Sequence, residues 1–140
     1  MSGHIRRARP EERDRISEIR FAVQENQLSD PSLVTDADYA WFAEHPGIRV
    51  WEEEGEILGF SAGDTRDSTI WALFVDPAHH HRGIGRALFE AACDTLRRAG
   101  HRSAMLTTDP GTRAERFYRA AGWTVVGASK RGELMFTSIL

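Results

Sequence analysis

The sequence predicts one α/β (or α+β) domain over residues 1–140, in which strands and helices alternate along the chain. A length of 140 residues and a mass of 15.8 kDa correspond to a single domain. Apolar residues make up 41% and charged residues 28% of the chain, which are globular averages and exclude disordered and fibrous classes. Short apolar runs of strand type are interleaved with segments of helical spacing, so we expect a mixed domain.

The N-terminal half is predicted to contain four strands and two helices. Pro10 stands at a helix start, and Glu11 and Glu12 follow in the first turn, where acids suit the positive end of a helix. The pair Glu54-Gly55 lies between two strand-like runs and predicts a hairpin turn. The predicted strands are 5–8, 48–53, 56–63 and 69–75, and the predicted helices are 10–24 and 35–44.

The C-terminal half is predicted to contain two helices and three strands. Ile84, Leu88, Ala92 and Leu96 recur at helical spacing, and Gly100 is a natural helix stop. The predicted helices are 84–99 and 113–121, and the predicted strands are 103–108, 123–126 and 134–139.

Cysteine and hydropathy patterns exclude several classes of protein. Cys93 is the only cysteine, which excludes a disulfide framework and a cysteine-rich zinc module, and we expect it to pack as an inert thiol. The N-terminus shows no secretory signal, and the longest uncharged apolar-rich run, residues 68–75, is too short to span a membrane. We therefore expect a cytoplasmic protein with no membrane association. The consecutive histidines at 79–81 cannot easily converge on one ion, so no metal site is expected.

Charge is distributed unevenly between the two halves of the chain. Residues 1–70 carry 15 Asp and Glu against 8 Arg, whereas residues 71–140 carry 6 acids against 9 Arg and 1 Lys. This asymmetry favours an anionic ligand on the C-terminal side and a cationic partner on the other, although solvated helix faces would produce the same difference. A pI near 6.1 and the absence of a lysine-rich stripe argue against nucleic acid as a partner.

A glycine-rich loop follows the apolar strand 69–75 and leads into the helix at residue 84. Unpaired N–H groups at a helix N-terminus carry partial positive charge and bind anions. Gly83 and Gly85 allow a pyrophosphate to approach the backbone, and Arg82 and Arg86 add charged donors. The loop is neither a Walker A motif nor a full dinucleotide fingerprint, and taken alone it is also compatible with an ordinary turn.

Two segments carry a resemblance to a known family. Residues 71–77, Trp-Ala-Leu-Phe-Val-Asp-Pro, and residues 80–88, His-His-Arg-Gly-Ile-Gly-Arg-Ala-Leu, resemble motif A of the GNAT superfamily of N-acetyltransferases. Residues 114–123, with Phe117-Tyr118 followed by Gly122-Trp123, resemble its motif B. The order of elements also matches, so the resemblance covers nearly the whole chain. It implies a GNAT fold, in which a mixed, mostly antiparallel twisted sheet is flanked by helices and opens where acetyl-CoA inserts.

The resemblance also implies roles for particular residues, with acetyl-CoA as co-substrate, an amine as acceptor and no metal. A backbone N–H of Phe74 or Val75 would polarise the thioester carbonyl. Tyr118 would protonate the leaving thiolate, since a thiol has a pKa near 8.5 and a tyrosine near 10. The implied cofactor-binding residues are Leu73, Phe74 and Val75 along the pantetheine arm, His80, His81, Arg82, Gly83, Ile84, Gly85 and Arg86 around the pyrophosphate, and Phe117 beside Tyr118. Because adjacent helix residues point about 100° apart, we do not expect Phe117 and Tyr118 to fill one core.

Three departures from the family pattern concern the cofactor loop and the general base. His80 replaces the usual Gln or Arg, and Gly111 replaces a frequent asparagine. The positions of two family bases hold Leu106 and Thr69, so the amine must lose its proton by another route. The candidate bases are Glu25, Asp36, Asp64 and Asp109, each of which could equally be a helix cap or a solvated charge. An amine that arrives neutral would need none of them.

Several contacts and alternatives stay open from the sequence. Trp71 and residues 25–31 are candidates for the acceptor pocket, and Arg113 and Arg116 are candidates for the cofactor phosphates. The acceptor could be a small amine, an antibiotic, an amino acid or a protein N-terminus, and the donor could carry a longer acyl group. The apolar strand 134–140 could pair across a homodimer. Two other interpretations remain: a catalytically impaired acyl-CoA-binding or sensor module, and an unrelated nucleotide-binding domain.

Overall fold

The computed structural model of the chain describes residues 3–23, 36–80 and 82–140. Glu25, the rest of the segment 25–31 and His81 lie outside these ranges, and their predicted roles stay predictions.

Within the described ranges, seven strands and four α-helices follow one another in the order that the sequence predicts. The strands are β1 (Gly3–Arg7), β2 (Arg49–Glu53), β3 (Glu56–Asp64), β4 (Thr69–Val75), β5 (Ser103–Thr108), β6 (Thr124–Ala128) and β7 (Leu134–Ile139). The helices are α1 (Arg13–Ala22), α2 (Asp36–Glu44), α3 (Ile84–Arg98) and α4 (Arg113–Ala120), and short 3₁₀ turns cover Pro10–Glu12 and Pro77–His79. Pro10 therefore begins a 3₁₀ turn that leads into α1, since proline fits the first position of a helical turn.

The strands form one sheet in the order β1-β2-β3-β4-β5-β7-β6. Every neighbouring pair is antiparallel except β4 and β5, which are parallel and are joined by a single residue pair, Thr69 with Met105. Beyond that pair the two strands have no ladder, so the sheet opens between their carboxyl ends. The predicted mixed, mostly antiparallel sheet that opens at its centre is confirmed.

The position of β7 corrects the predicted route to a homodimer. Strand β7 pairs with β5 along one side and with β6 along the other, so its backbone groups are already used within the chain. The sheet edges are β1 and β6 instead. An open edge is what a second copy needs for strand pairing. A homodimer itself stays a prediction, but pairing through residues 134–140 is wrong.

The sheet packs helices on both of its faces. Phe60 points into an apolar cluster that contains Ile16 and Ile19 of α1 and Phe42 of α2. The next residue, Ser61, donates from its hydroxyl to the carbonyl of Leu88 in α3 at 2.8 Å. Because successive strand residues point to opposite faces, α1 and α2 cover one face and α3 covers the other.

Helix α3 lies close against β3, and this approach positions the glycine-rich loop. A Cβ at Gly63 would lie 2.9 Å from the carbonyl oxygen of Ala92 in α3, which is too close for any other residue without a shift. The close approach brings the beginning of α3 beside the end of β4. Cys93 is 3% exposed on this helix, and burial raises its pKa to about 11, which keeps it an inert thiol as expected.

An ion-pair group joins the start of α1 to the first two strands. Arg6 of β1 donates from Nη1 and Nη2 to the carboxylate of Glu12 at 2.8 and 2.6 Å, and from Nε to Glu52 of β2. The side chains of Arg6 and Glu12 are 18% and 14% exposed. The bond from Arg6 lowers the pKa of Glu12 from 4.5 to about 2, and it raises that of Arg6. The network therefore stabilises the end of the chain that leads into α1.

We expect this network to make folding sensitive to acid. Since the pKa of Glu12 is lower in the folded chain, its stabilising contribution is present above pH 4.5 and is lost as the pH falls towards 2. Glu12→Gln should lower the melting temperature at pH 7. Between pH 4.5 and 2, the melting temperature of this variant should then fall by less than that of the wild type. Circular-dichroism melts across that range measure both, with Glu11→Gln in the same turn as control. Parallel acid profiles for Glu12→Gln and the wild type would contradict the assignment.

Within the described ranges, no helix is both long and apolar enough to cross a membrane.

Candidate active site

A cavity of about 460 Å³ opens where β4 and β5 separate. It lies between the end of β4, the beginning of α3 and helix α4. The structure brings most of the predicted cofactor-binding residues together here. The lining comprises Val23, Leu73, Phe74, Val75, His79, His80, Gly83, Ile84, Gly85, Arg86, Arg113, Ala114, Arg116, Phe117 and Tyr118.

The backbone at the end of β4 directs the polar groups of alternate residues into this gap. The N–H of Asp76 donates to the carbonyl of Leu58 at 2.8 Å, on the β3 side. Strand residues alternate, so the N–H and C=O of Val75 and Leu73 face the opposite side, towards the gap. The Val75 carbonyl is contacted there by Nε2 of His80 at 3.1 Å. Of the two N–H groups considered from the sequence, Val75 therefore faces the cavity and Phe74 faces β3.

A β-bulge in β4 determines this alternation. Ala72 pairs with Ala62 and Ile70 pairs with Gly63, so Trp71 is an extra residue on β4. A bulge of this kind re-aims the residues that follow it. The side of the strand on which each later N–H emerges consequently depends on Trp71.

The N-terminus of α3 presents backbone donors to the same cavity. Gly83 caps the helix with φ +81°, a left-handed conformation that favours glycine. The first bond of the helix ladder runs from Ala87 N–H to Gly83 C=O at 3.1 Å. The N–H groups of Ile84, Gly85 and Arg86 therefore have no acceptor within the helix. Together with the helix dipole, they form a site for an anion.

The charged side chains of the lining are cationic. Arg86, Arg113 and Arg116 line the cavity, and none of its described lining residues is acidic. Within the described ranges, neither Arg86 nor Arg116 forms an ion pair with a carboxylate, so their charge is available to a ligand. The electrostatic character of the cavity thus matches the anion expected from the basic C-terminal half.

The side chains of His80 and Arg82 bond to other groups of the protein, whereas a phosphate ligand would need their donors for itself. His80 donates from Nε2 to the Val75 carbonyl, which leaves Nδ1 to accept from Arg113 Nη1. Arg82 lies outside the lining and donates to both carboxylate oxygens of Glu53 at 2.8 and 2.9 Å. That pairing lowers the pKa of Glu53. A role for Arg82 at the pyrophosphate therefore rests on its backbone.

Tyr118 is buried in helix α4 and faces both the cavity and an aromatic cluster. Its side chain is 6% exposed, and its ring centroid lies 5.6 Å from that of Phe89 and 5.9 Å from that of Phe136. Burial raises the pKa of Tyr118, so the hydroxyl stays protonated at neutral pH. The hydroxyl makes no hydrogen bond to any described residue, which leaves its proton available to a ligand.

The packing of Phe117 corrects one expectation from the sequence. Phe117 is half-buried against the same apolar cluster as Tyr118, and the two ring centroids are 5.4 Å apart. The two side chains leave the helix in different directions, as helix geometry requires, but the ring of Phe89 contacts both of them. Adjacent aromatic residues of α4 therefore do share one core.

A second cavity of about 280 Å³ meets the first at Tyr118. The two cavities share Leu73, Phe74, Ala114 and Tyr118, so the β4 end and the tyrosine separate them. Trp71, which the sequence offered as a candidate for the acceptor pocket, lines the second cavity. The remaining lining residues are Arg20, Ile70, Ala72, Leu106, Thr107, Thr108, Asp109, Arg131 and Glu133.

The candidate bases are distributed over three separate regions. Asp109 lines the second cavity. Asp64 is 5% exposed and is held by Arg66 at 2.8 and 3.0 Å, which lowers its pKa against the effect of burial, and it lines neither cavity. The carboxylate of Asp36 is 94% exposed and pairs with Arg13. Of the described candidates, only Asp109 lines one of the two cavities that meet at Tyr118.

Sequence reasoning missed Glu133, Arg131 and Arg20 in the second cavity. Glu133 and Arg131 belong to the β6–β7 turn, which is tied by a bond from Ser129 N–H to Glu133 C=O at 2.8 Å. Arg20 lies on α1, far from both motifs in the chain. A charged residue on an otherwise apolar helix face was the one local signal, because Arg20 follows Ile16 and Ile19 on the buried side.

The positions that depart from the family pattern have structural roles. Leu106 is buried and lines the second cavity, whereas the Thr69 hydroxyl donates to Asp67 at 2.7 Å. Gly111 has φ +77°, and its N–H donates to the Glu115 carboxylate at 2.7 Å beside the start of α4. Among the residues described, no cluster of three or more His, Cys, Asp or Glu could hold a metal ion.

Comparisons with known proteins agree with this geometry. One curated relative, an "Uncharacterized N-acetyltransferase ycf52-like" of Prochlorococcus marinus, is 29% identical over 84 residues, which cover 56% of this chain and 46% of that protein. The chain thus spans about half the length of this relative.

Solved structures share the fold over the whole chain. Ard1 from Thermoplasma volcanium matches with a TM-score of 0.80 and 20% identity, over 100% of this chain and 99% of that one. The yncA protein from Salmonella typhimurium, solved with its cofactor acetyl-CoA, matches with a TM-score of 0.75 and 23% identity, over 100% and 95%. The PaiA N-acetyltransferase from Thermoplasma acidophilum, solved with coenzyme A, matches with a TM-score of 0.76 and 15% identity, over 100% of both chains.

A family model described as "Acetyltransferase (GNAT) family" matches residues 12–123, which are 112 of the 140 residues. The matched range contains the glycine-rich loop and the four residues that the two cavities share, among them Tyr118. The chain belongs to the acetyltransferase (GNAT) family.

Proposed function

We propose that this protein transfers an acetyl group from acetyl-CoA to an amine by direct attack of the amine on the thioester. The observation that carries the proposal is the meeting of two cavities of different chemistry at Tyr118. The larger one is cationic and has backbone donors at its end, and the smaller one contains carboxylates. An anionic donor and an amine acceptor would thereby meet at the tyrosine.

The residues of the larger cavity fit acetyl-CoA, which supplies the activated acetyl group when it is bound. The N–H groups at the start of α3 would hold the pyrophosphate, with Arg86, Arg113 and Arg116 nearby. Leu73 and Val75 would offer backbone groups from β4 to the pantetheine arm. The N–H of Val75 faces the gap and is our candidate for stabilising the developing oxyanion.

Tyr118 is our candidate for the general acid. Its hydroxyl stays protonated because burial raises its pKa, and a thiolate that leaves beside it would take that proton. Cys93 lines neither of these cavities, which supports direct transfer without a covalent enzyme intermediate. For the amine proton, we propose Asp109 or Glu133, the two described carboxylates of the smaller cavity, acting directly or through water.

Thermal-shift titration with acetyl-CoA, CoA, 3′-dephospho-CoA and ATP in parallel tests donor binding. A ligand at 100 times its dissociation constant stabilises the fold by about 2.7 kcal/mol, which raises the melting temperature by several degrees. We expect acetyl-CoA and CoA to do so and ATP not to. Stabilisation by ATP alone would contradict the proposal in favour of a nucleotide-binding domain.

Turnover of amines then separates an enzyme from a binding module. Release of CoA from acetyl-CoA is measured with a panel of small amines, amino acids and peptides. Acetyl-CoA binding without CoA release for any acceptor would favour the alternative of an acyl-CoA-binding or sensor module. A cytoplasmic location, an acetyl rather than a longer acyl donor, and a homodimer stay predictions.

A further inference from the structure

Arg20 is a buried cation without a carboxylate partner in the part of the chain that the structure describes. The residue is 7% exposed on α1. Its Nε has no hydrogen-bond partner, and its Nη1 lies 3.5 Å from the hydroxyl of Tyr39, at the limit of a hydrogen bond. Burying an arginine without pairing it is costly, so this arrangement indicates a missing anionic partner.

The protein surrounds this cation with aromatic rings. The guanidinium carbon lies 5.2 Å from the ring centroid of Trp71 and 5.0 Å from that of Phe74. Such contacts orient a guanidinium and offset part of its desolvation, but they satisfy none of its N–H donors. The rings therefore hold Arg20 in place beside the smaller cavity, which it lines, and leave its donors without an acceptor among them.

A second unpartnered polar group lies in the same cavity. Among the described residues, three buried side-chain atoms lack a hydrogen-bond partner: Arg20 Nε, Thr108 Oγ1 and Arg49 Nη1. Two of the three, on Arg20 and Thr108, belong to residues that line the smaller cavity, and Thr108 is 3% exposed. Buried polar groups are nearly always paired, so their convergence on one cavity points to a polar ligand there.

The charges of the cavity define the chemistry of that ligand. Arg20 supplies buried positive charge from α1, and Arg131 adds a second cation from the β6–β7 turn. Asp109 and Glu133 supply negative charge from the end of β5 and from that same turn. Arg20 does not line the larger cavity, so its donors are not used on the cofactor phosphates. A volume of about 280 Å³ suits a small molecule.

We propose that the acceptor carries a carboxylate which Arg20 binds, so that the amine substrate is an amino acid or a closely related amino carboxylate. A rotation of the Thr108 side chain would let its Oγ1 donate a second hydrogen bond to the same carboxylate. The amine lies at the other end of the ligand, near Asp109, Glu133 and the shared residue Tyr118. This inference rests on the proposed acetyl transfer, and it narrows the acceptor from amines in general to amines with an anionic group.

Matched acceptors test the proposal directly. CoA release is measured for each standard amino acid, its carboxamide and its decarboxylated amine, with acetyl-CoA saturating. A guanidinium–carboxylate hydrogen bond corresponds to about a ten- to hundredfold preference. We therefore expect at least one free amino acid to exceed its carboxamide about tenfold or more in kcat/KM. Equal or faster turnover of the uncharged carboxamides throughout the series would overturn the proposal.

Comparison of Arg20→Met with Arg49→Met tests whether Arg20 is the source of the preference for a carboxylate. Both remove an arginine that has a buried, unpartnered nitrogen, but Arg49 lines neither cavity. Arg20→Met should lose the preference for the carboxylate, mainly through KM, and keep its turnover of the carboxamide. Arg49→Met should keep the preference. A carboxylate preference that survives in Arg20→Met excludes Arg20 as its source, and if that variant does not fold, the wild-type series alone decides.

A binding measurement separates this proposal from the proposed function. The N-acetyl amino acids, as free carboxylates, are added to the wild type and to Arg20→Met without any CoA species, and melting is followed. We expect at least one N-acetyl amino acid to stabilise the wild type and to bind Arg20→Met with an apparent affinity about tenfold lower. That result supports the carboxylate site even if acetyl-CoA fails to bind. Absence of stabilisation together with turnover of uncharged amines overturns the site while the acetyl transfer stands. If no amine is turned over, this binding result decides the proposal alone.

Discussion

Replacing Tyr118 with phenylalanine is expected to lower kcat about 10²- to 10⁴-fold, the contribution that a positioned general acid makes. The change removes one oxygen and keeps the ring that contacts Phe89 and Phe136, so the core around it is preserved. Steady-state kinetics with the best acceptor found in the amine panel measures the effect. The dissociation constant of acetyl-CoA, obtained by thermal shift, should change by less than about threefold.

The other tyrosine of the chain, Tyr39, supplies a matched control for the loss of a buried hydroxyl. Tyr39 is also buried, at 8% exposed, but it lines neither of the two cavities that meet at Tyr118. Because the Tyr39 hydroxyl contacts Arg20, Tyr39→Phe should act mainly on the KM of the acceptor and leave kcat within a few-fold of the wild type. Equal turnover in Tyr118→Phe and the wild type would remove Tyr118 from the mechanism.

The pH dependence of wild-type kcat follows from the direction in which the pKa of Tyr118 is shifted. A general acid acts in its protonated form, which is present below its pKa, and burial raises the pKa of Tyr118 above its ordinary value. A wild-type kcat profile should therefore show no fall caused by loss of that proton below about pH 10.

Replacing Gly83 with valine is expected to weaken acetyl-CoA binding about tenfold or more. Gly83 has φ +81°, and a β-branched residue is strained there, so the loop must move to relieve it. Movement of the cap displaces the N–H groups of Ile84, Gly85 and Arg86 that we assign to the pyrophosphate. Isothermal titration with acetyl-CoA measures the loss of affinity.

Gly100→Val separates the loss of a binding loop from general destabilisation. Gly100 has φ +98° at the other end of α3, and like Gly83 it has open space where a Cβ would lie. Both substitutions should lower stability by a similar amount, about 1–3 kcal/mol, but only Gly83→Val should weaken acetyl-CoA binding. Unchanged affinity in a folded Gly83→Val protein would refute the assignment of the loop.

Much of the fold was predictable because its signals are local. Ile84, Leu88, Ala92 and Leu96 lie on one face of one helix, and the turn residues that bound each element lie next to it in the chain. The glycine-rich loop, our candidate for binding the cofactor, was predictable for the same reason, since a strand end, two glycines and a helix start are contiguous. Pairing of distant strands is not encoded in this way. The strand at residues 134–140 was therefore a candidate for pairing across a homodimer, whereas it lies between β5 and β6 inside the sheet.

The sequence by itself therefore determined the order of elements and the glycine-rich loop at Gly83, because both depend on residues close together in the chain. Tyr118 became the candidate acid through the resemblance of its segment to a family motif. Only the tertiary structure decided which backbone N–H of β4 faces the gap, because that depends on the bulge at Trp71 and its pairing with β3. It alone also brought Arg20 of α1 beside Thr108 of β5 and the turn at Glu133. The smaller cavity, our candidate for the acceptor, is built from α1, β4, β5, α4 and the β6–β7 turn, and their meeting is a consequence of how the sheet and helices pack.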